Sequence, residues 1–510
     1  MLATSPPRSA GLLAGVDLGS NSFRLEIGQL THGQYRRIDY LKETVRLGGG
    51  LDANGLLTDA AAQRGLDCLQ RFASRLAGFR PAQVRAVATQ TLREARNRDA
   101  FLLRAQGALG HPIEVISGRE EARLIYAGVA HLQPSSAQRL VVDIGGRSTE
   151  MIVGQGRQPL AAESFQVGSV SLSQRFFPDG QLAEPAFRAA QIAAGAEFEE
   201  ALATFSRGRW AEALGSSGTA SAVSQLLQAS GVTDGAITPA GLRWCIARCI
   251  DAGHIDRLKL PGLREDRRPV LPGGLAILYT LAAHFGIEAL RPTKGALRQG
   301  VIVDLHERHA ARLRARGGDM RDASVGLLQR RFGVDTAQAQ RVREVATALY
   351  AGVAANGEPD SRRELGWACD LHELGMMVSH HDHHRHSAYL LAHVDAPGFS
   401  QSQQRRIGEL VLGQRGGLRK VEHAFVADTF TWQVLCLRLA VIKCHARDQV
   451  DPRALRLSRQ GLQACVAFGA EWAQTHPRTL FLLEEEASTW NRYGPLQMVL
   501  VQERGAAGRA

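Results

Sequence analysis

The chain has 510 residues, 45% of them hydrophobic, and 61 Lys and Arg against 50 Asp and Glu give a formal charge of +11. That length is too great for one core and predicts roughly three or four domains; no run approaches the ~20 apolar residues of a transmembrane helix, and seven scattered cysteines without a Cys-x-x-Cys exclude a disulfide framework and fit a reducing cytoplasm. The charge fits a polyanionic partner held through phosphate contacts, or equally an arginine-rich composition, since only five of the cations are lysine.

Residues 1–11 lack the basic and long apolar stretches of a signal peptide and read as a disordered lead-in. Residues 12–47 alternate in polarity and carry strand patterns. A helix is expected from Thr58 to Leu76, opened by Thr58 and Asp59. A buried strand follows at 84–89, then a polar helix from about Thr91, a strand at 112–117, and a helix from near Glu120. This ββαβαβ order describes one α/β half. The pattern restarts at Arg139, with a strand at 161–167, a long helix over 184–205, a strand and glycine loop at 210–219, and helix to about His306. After Arg308 the polar stretch ERHAARLRARGGDMRDAS marks a boundary. Helical periodicity then covers 323–332, 335–355, 361–374, 386–393 and 400–412. The tail, about 450–510, mixes short strand-like and helical pieces.

The restart is a true repeat. AGVDLGSNSFRLEIG (14–28) and LVVDIGGRSTEMIVG (140–154) each run from an apolar strand through Asp-x-Gly and a polar turn into a second strand ending in Gly. Asp17 matches Asp143, Gly19 matches Gly145, Ser22 matches Ser148 and Gly28 matches Gly154. Small-residue turns expose backbone N–H groups to an anion. Either copy alone is also what an ordinary Asx-type hairpin turn looks like. Two copies 126 residues apart fit duplicated domains facing a cleft, where a phosphate chain could be held from both sides. Arg24, Arg93, Arg119, Arg123 and Arg147 stand near these turns.

Asp143 and Glu150 flank the second turn, and hard carboxylate oxygens beside phosphate suit Mg²⁺. Glu120 and Glu121 open a helix, where the macrodipole favours acids. Adjacent helical residues point ~100° apart, so one of the two at most faces a cleft, where it could act as general base toward water. The loop GSSGTASA (215–222) precedes a helix whose N-terminal N–H groups, Gly218 among them, suit an anion. It has no Gly-Lys-Ser/Thr and is not a Walker A loop. Residues 371–393 carry seven of the 17 histidines. His372, Glu373, His381, Asp382, His384 and His386 invite a metal-site reading, but no clean ligand pattern emerges, and a helix–loop–helix with exposed histidines accounts for them better.

VDLGSNSFRL, ATQTLREARN, EVISGREEARLIYAGV, VVDIGGRSTE, LGSSGTASAV, LPGGLAIL and KGALRQG occur in this order across residues 14–308. Together they resemble the exopolyphosphatase/guanosine pentaphosphate phosphohydrolase family, a branch of the actin, Hsp70 and sugar-kinase superfamily. DLHELGM and HRHSAYLL resemble the helical, HD-phosphohydrolase-related domain of its longer members, with the His-Asp pair reading His372-Glu373. The resemblance implies an α/β fold of two ribonuclease-H-like domains (12–125 and 126–308) around an interdomain cleft, a mainly α HD-like domain (309–445) and a small C-terminal α+β domain (446–510). It implies Glu121 as the base that activates water, Asp143 and Glu150 holding Mg²⁺, and Asn21, Ser22, Arg93, Gly145, Gly146 and Ser148 along the phosphate path. The family's turn usually reads DIGGGSTE or has Ala at the fifth position, where this chain has Arg147. An arginine there either alters the turn or adds a phosphate contact.

The leading expectation is a Mg²⁺-dependent exopolyphosphatase that processively releases orthophosphate from the end of inorganic polyphosphate. HRHSAYLL and the arginines of the C-terminal half favour that branch. The nearest alternative is hydrolysis of guanosine pentaphosphate to the tetraphosphate at the same site. A kinase or ATPase on the same fold would need an adenosine pocket, and a phosphate sensor would leave Glu121 idle. No nucleic acid is called for. A homodimer is implied through the family, and the cytoplasm is the expected compartment. A basic chain is compatible with weak peripheral membrane association, though no amphipathic segment argues for it.

Overall fold

The computed structural model describes residues 11–31, 33–313, 319–354 and 359–503. Of the expected lead-in, residues 1–10 lie outside the described residues. The chain divides into two compact units, with the division at 318/319.

In the first unit the duplicated sequence builds duplicated sheets. Strands β1 (Leu13–Leu18), β2 (Phe23–Thr31), β3 (Gln34–Glu43), β4 (Val84–Ala88) and β5 (Ile113–Val115) are ordered β3-β2-β1-β4-β5. Strands β6 (Gln138–Ile144), β7 (Thr149–Gln155), β8 (Gln158–Phe165), β9 (Glu212–Gly215) and β10 (Leu290–Pro292) repeat it as β10-β9-β6-β7-β8. In each sheet the first three strands form an antiparallel meander and the last two run parallel to the first. The repeated glycines have a shared cause. Gly28 and Gly154 sit where the register shifts, at equivalent β-bulges. A Cβ on Gly28 would meet Tyr35 Oη at 2.8 Å, and one on Gly154 would overlap the Tyr126 ring. These are therefore two duplicated α/β halves, as the repeat implies, and their matching strand orders agree with the actin-like fold that the resemblance implies.

The helices do not respect the expected boundary at 125/126, which falls inside the helix Gly118–Leu132. That helix begins in the first half but packs on β7 and β8 of the second sheet, and on the helix Leu297–Leu313. Leu297–Leu313 in turn crosses back to pack on β1, β2 and β4. The pair approaches closely because a Cβ on Gly300 would overlap the Leu124 carbonyl. The expected long helix from Glu184 stops at Phe198 and passes into a 3-10 turn.

The second unit contains the helices Met320–Arg331, Thr336–Val353, Pro359–Leu371, His383–His393, Gln401–Gly413 and Asp428–Lys443. They are followed by β11 (Leu455–Gln460), β12 (Gln463–Gly469) and β13 (Gln497–Glu503), with the helix Pro477–Tyr493 between β12 and β13. The segment RTLFLLEEEASTWN lies wholly within that helix. A separate domain from 446 was expected. Instead Leu457 and Val466 of the sheet, Trp490 of the last helix, and Val345, Leu349 and Leu435 of the helical part share one apolar core. A single sheet has an apolar face that must be covered, and here the apolar faces of the helices cover it.

Candidate active site

The repeated turns close one cavity of about 450 Å³ within the first unit. Its wall includes Asp17 and the Ser20–Ser22 turn from the first half, Asp143, Gly145, Gly146 and Ser148 from the second, and Ser217, Gly218 and Thr219 from the glycine loop. Strand register explains the pairing. Asp17 lies opposite Arg24 at the β1–β2 turn, and Asp143 lies opposite Glu150 at the equivalent β6–β7 turn. Arg24 donates to Asp17 Oδ2 at 3.2 Å. The glycine loop is tied to the second turn, since Thr219 Oγ1 donates to the Ile144 carbonyl at 3.0 Å. Ser217 caps the helix Gly218–Ala229 by accepting from Ala220 N at 3.3 Å, so that helix opens its N-terminus toward the cavity.

The tandem glutamates separate as helical geometry requires. Ser117 caps the helix Gly118–Leu132 by accepting from Glu120 N at 3.2 Å. Glu121 lines the cavity, 7% exposed, with Arg93 Nη1 donating to its Oε2 at 2.8 Å. Burial pushes its carboxyl up to about 7; Arg93 opposes this, while Asp17 and Asp143 add to it. Glu120 turns away and accepts from Arg123 Nε at 2.7 Å in a buried ion-pair network. Burial also raises Asp143, against the Ser216 hydrogen bond and Arg24. Glu150 is held well above the usual carboxylate range by burial and by repulsion from Glu121 and Asp143.

Eight of the ten candidate residues line the cavity: Glu121, Asn21, Ser22, Gly145, Gly146, Ser148, Gly218 and Asp143. Arg93 does not; it is spent on Glu121, Gln90 and the Ile116 carbonyl. Glu150 does not either; it is 1% exposed and accepts from Ser164 Oγ at 2.8 Å. Arg147 keeps an ordinary backbone conformation and adds no wall contact, because its guanidinium turns to Glu94. The residues of the histidine-rich segment in the second unit do not converge. His372 is buried with Nδ1 bonded to the Cys369 carbonyl, Glu373 pairs with Arg447, and His381 is exposed. Among the described residues no group of three or more His, Cys, Asp or Glu is placed to hold a metal.

Sequence reading missed a set of cations. Lys42, Arg264, Arg267, Lys294 and Arg298 also line the cavity, with Arg24 and Tyr40. Burial, followed by Arg267 and Arg24, lowers Lys42 to about 8. Burial and Arg24 lower Arg267 as well. Gly218 has a second role here: a Cβ on it would come within 2.5 Å of Arg267 Nη2, so its bareness lets that guanidinium lie over the helix N-terminus. Ser22 Oγ is buried on the wall with no hydrogen-bond partner. Asp17, Asp266 and Glu26 pair with Arg24, Arg264 and Arg298 and offset this charge only in part, so the cations and the unsatisfied hydroxyl both gain from a bound polyanion. The signal for the cations was faint. Lys294 and Arg298 sit in KGALRQG, but Arg264 and Arg267 sit in an ordinary-looking charged stretch.

A sequence model of the Ppx/GppA phosphatase family matches residues 27–309, and one of domain III of Ppx/GppA phosphatase matches residues 320–487. A Vibrio vulnificus protein named guanosine-5'-triphosphate,3'-diphosphate pyrophosphatase is 37% identical over 94% of this chain and 96% of its own. A Vibrio cholerae protein of the same name is 36% identical over the same shares. Among solved structures, an exopolyphosphatase from Cytophaga hutchinsonii superposes with a TM-score of 0.52 at 24% identity, covering 57% of this chain and 96% of that one. That likeness bears on the fold of the first unit alone.

Proposed function

This chain belongs to the Ppx/GppA phosphatase family and is a hydrolase of phosphoanhydride bonds; on that premise we propose that it removes the terminal 5' phosphate of guanosine 5'-triphosphate 3'-diphosphate, leaving the tetraphosphate. The carrying observation is that one cavity, lined by both turns and the Gly218 helix N-terminus, also gathers Arg24, Lys42, Arg264 and Arg267, with Arg267 lying over that N-terminus. A substrate with a 5' triphosphate and a 3' diphosphate presents the concentrated negative charge that such a wall favours. The Vibrio relatives, matched over nearly their whole length, carry the name of that activity. Exopolyphosphatase activity, the first expectation from sequence, draws support from the same cations and stands as the second reading.

Glu121 is placed to act as general base. Its carboxyl, raised to about 7, ionises near neutral pH and can take a proton from water. The water oxygen bonds to the terminal phosphorus, the bond to the bridging oxygen breaks, and the electron pair leaves with the shortened chain. The turns' N–H groups and the arginines hold the phosphate oxygens in line. The donor set fits Mg²⁺, which binds through one or two carboxylates plus substrate phosphate and needs no three-residue cage. Asp143 would hold it from the wall; Glu150 lies behind that wall, opposite Asp143 in the strand pair. When bound, Mg²⁺ neutralises charge on the phosphate oxygens.

Phosphate release should be measured side by side from guanosine pentaphosphate and from long-chain polyphosphate, with Mg²⁺ and with EDTA. The expected result is a kcat/KM at least ~10-fold higher for the pentaphosphate, abolished by EDTA. The opposite substrate order would transfer the assignment to polyphosphate.

A further inference from the structure

The two phosphate-binding turns belong to different halves, so whatever joins the halves sets their separation. One junction is the packed pair of helices Gly118–Leu132 and Leu297–Leu313. A second junction lies at the turns themselves. Arg147, within the second turn, donates from Nε and Nη2 to Glu94 Oε2 at 2.9 and 2.6 Å, and from Nη1 to the Gly48 carbonyl at 3.2 Å. Both acceptors are in the first half, and both are fastened to the first turn. Gly48 N donates to the Ser20 carbonyl at 2.8 Å. Glu94 ends the short helix Gln90–Glu94, whose Thr91 Oγ1 donates to Ser20 Oγ at 2.8 Å. On its own side, the carbonyls of Gly145 and Gly146 accept from Ser169 N and Val170 N at 2.9 and 2.8 Å. The arginine stem is fitted closely, since a Cβ on Gly48 would stand 2.8 Å from Arg147 Cδ and 3.0 Å from Ser20 Cβ.

We propose that Arg147 is a positioning residue that fastens the second phosphate turn to the first half and so sets the gap a phosphate chain must bridge. Its kinetic consequence rests on the phosphohydrolase reading; its structural consequence does not. The guanidinium is absent from the cavity wall, so it acts through the turns and not on the substrate. Without it the cleft is closed for only a fraction of the time, and apparent affinity falls by that fraction. The pair is partly exposed, at 22% and 28%, so added salt weakens it.

The test uses the full chain with Arg147→Gln, Glu94→Gln, the double variant, and the charge swap Arg147→Glu/Glu94→Arg. Arg147→Gln should raise KM for guanosine pentaphosphate about 5- to 10-fold with kcat within about twofold of the parent. The double variant should be no worse than Arg147→Gln, and the swap should recover much of the lost affinity. Without substrate, amide hydrogen exchange in peptides spanning 45–50 and 144–149 should quicken in both single variants, with the helix 118–132 unchanged. Unchanged KM and unchanged exchange in Arg147→Gln would overturn the proposal, as would a fall in kcat at constant KM. If Arg147→Gln does not fold, the same readouts on Glu94→Gln decide it. If the parent protein hydrolyses no polyphosphorylated substrate, the functional reading fails, and exchange alone decides the role of Arg147.

Discussion

Glu121 shows how one helical step separates a carboxyl on the cavity wall from one in a buried ion-pair network. Its neighbour Glu120 carries the same side chain and is more deeply buried, yet it is committed to Arg123. Glu121→Gln should therefore lower kcat by about 10² or more while substrate still binds, measured as a kcat-against-KM split. Glu120→Gln should lower stability ahead of rate. The raised carboxyl also fixes a pH signature. Burial moves Glu121 from 4.5 to about 7. The folded protein thus keeps a proton that the unfolded chain loses between those values. Stability associated with that proton is complete below about 4.5 and is lost as pH rises through about 7. Activity moves the other way, because the base must be ionised. kcat/KM should climb through about 7, and a rate independent of pH from 5 to 8 would remove Glu121 from the role.

At the scale of elements, the two halves are held by helices that cross between them, with a buried charge network at the crossing. Asp304, on Leu297–Leu313, accepts from Arg308 Nε at 2.6 Å, from Arg123 Nη2 at 2.6 Å and from Arg85 Nη1 on β4 at 2.7 Å. Burial alone would raise this carboxyl, but Arg308, Arg123 and Arg85 hold it far below the usual carboxylate range. All four side chains are over nine-tenths buried. Asp304→Asn leaves three guanidinium groups short of countercharge in a water-poor site, and should cost about 3–5 kcal/mol in urea unfolding of the first unit. A loss below about 1 kcal/mol would mean that the arginines find other partners or water.

At the scale of the whole molecule, the candidate chemistry is confined to residues before 318. The first unit has its own cores, one under each sheet, and the second has another. A fragment ending at 318 should fold and still release phosphate from a short substrate. The fragment 319–510 should release none even with added Mn²⁺, because His372 is buried and hydrogen-bonded and Glu373 is paired with Arg447. Phosphate release by that second fragment would return the histidine-rich segment to the catalytic account. No helix among the described residues is long and apolar enough to cross a membrane.

The duplication, and with it the α/β class, is legible in the order of the amino acids. Asp17 and Asp143, Gly28 and Gly154 recur because each strand–turn–strand unit is a local device, whose turn, bulge and alternation are written in adjacent residues. Local spacing also required Glu120 and Glu121 to diverge, since ~100° per residue is a property of any helix, while the choice of Glu121 came from the family resemblance. Folding settled what depends on residues far apart in the chain. It gathered Lys42 and Arg267 on one wall, set Arg93 and Glu150 behind that wall, and turned Arg147 toward Glu94. It also merged the last sheet with the helical core and sent two helices across the boundary expected between the halves. Charge–charge and core contacts of this kind carry no period in sequence, because their partners are chosen by the packing of whole elements.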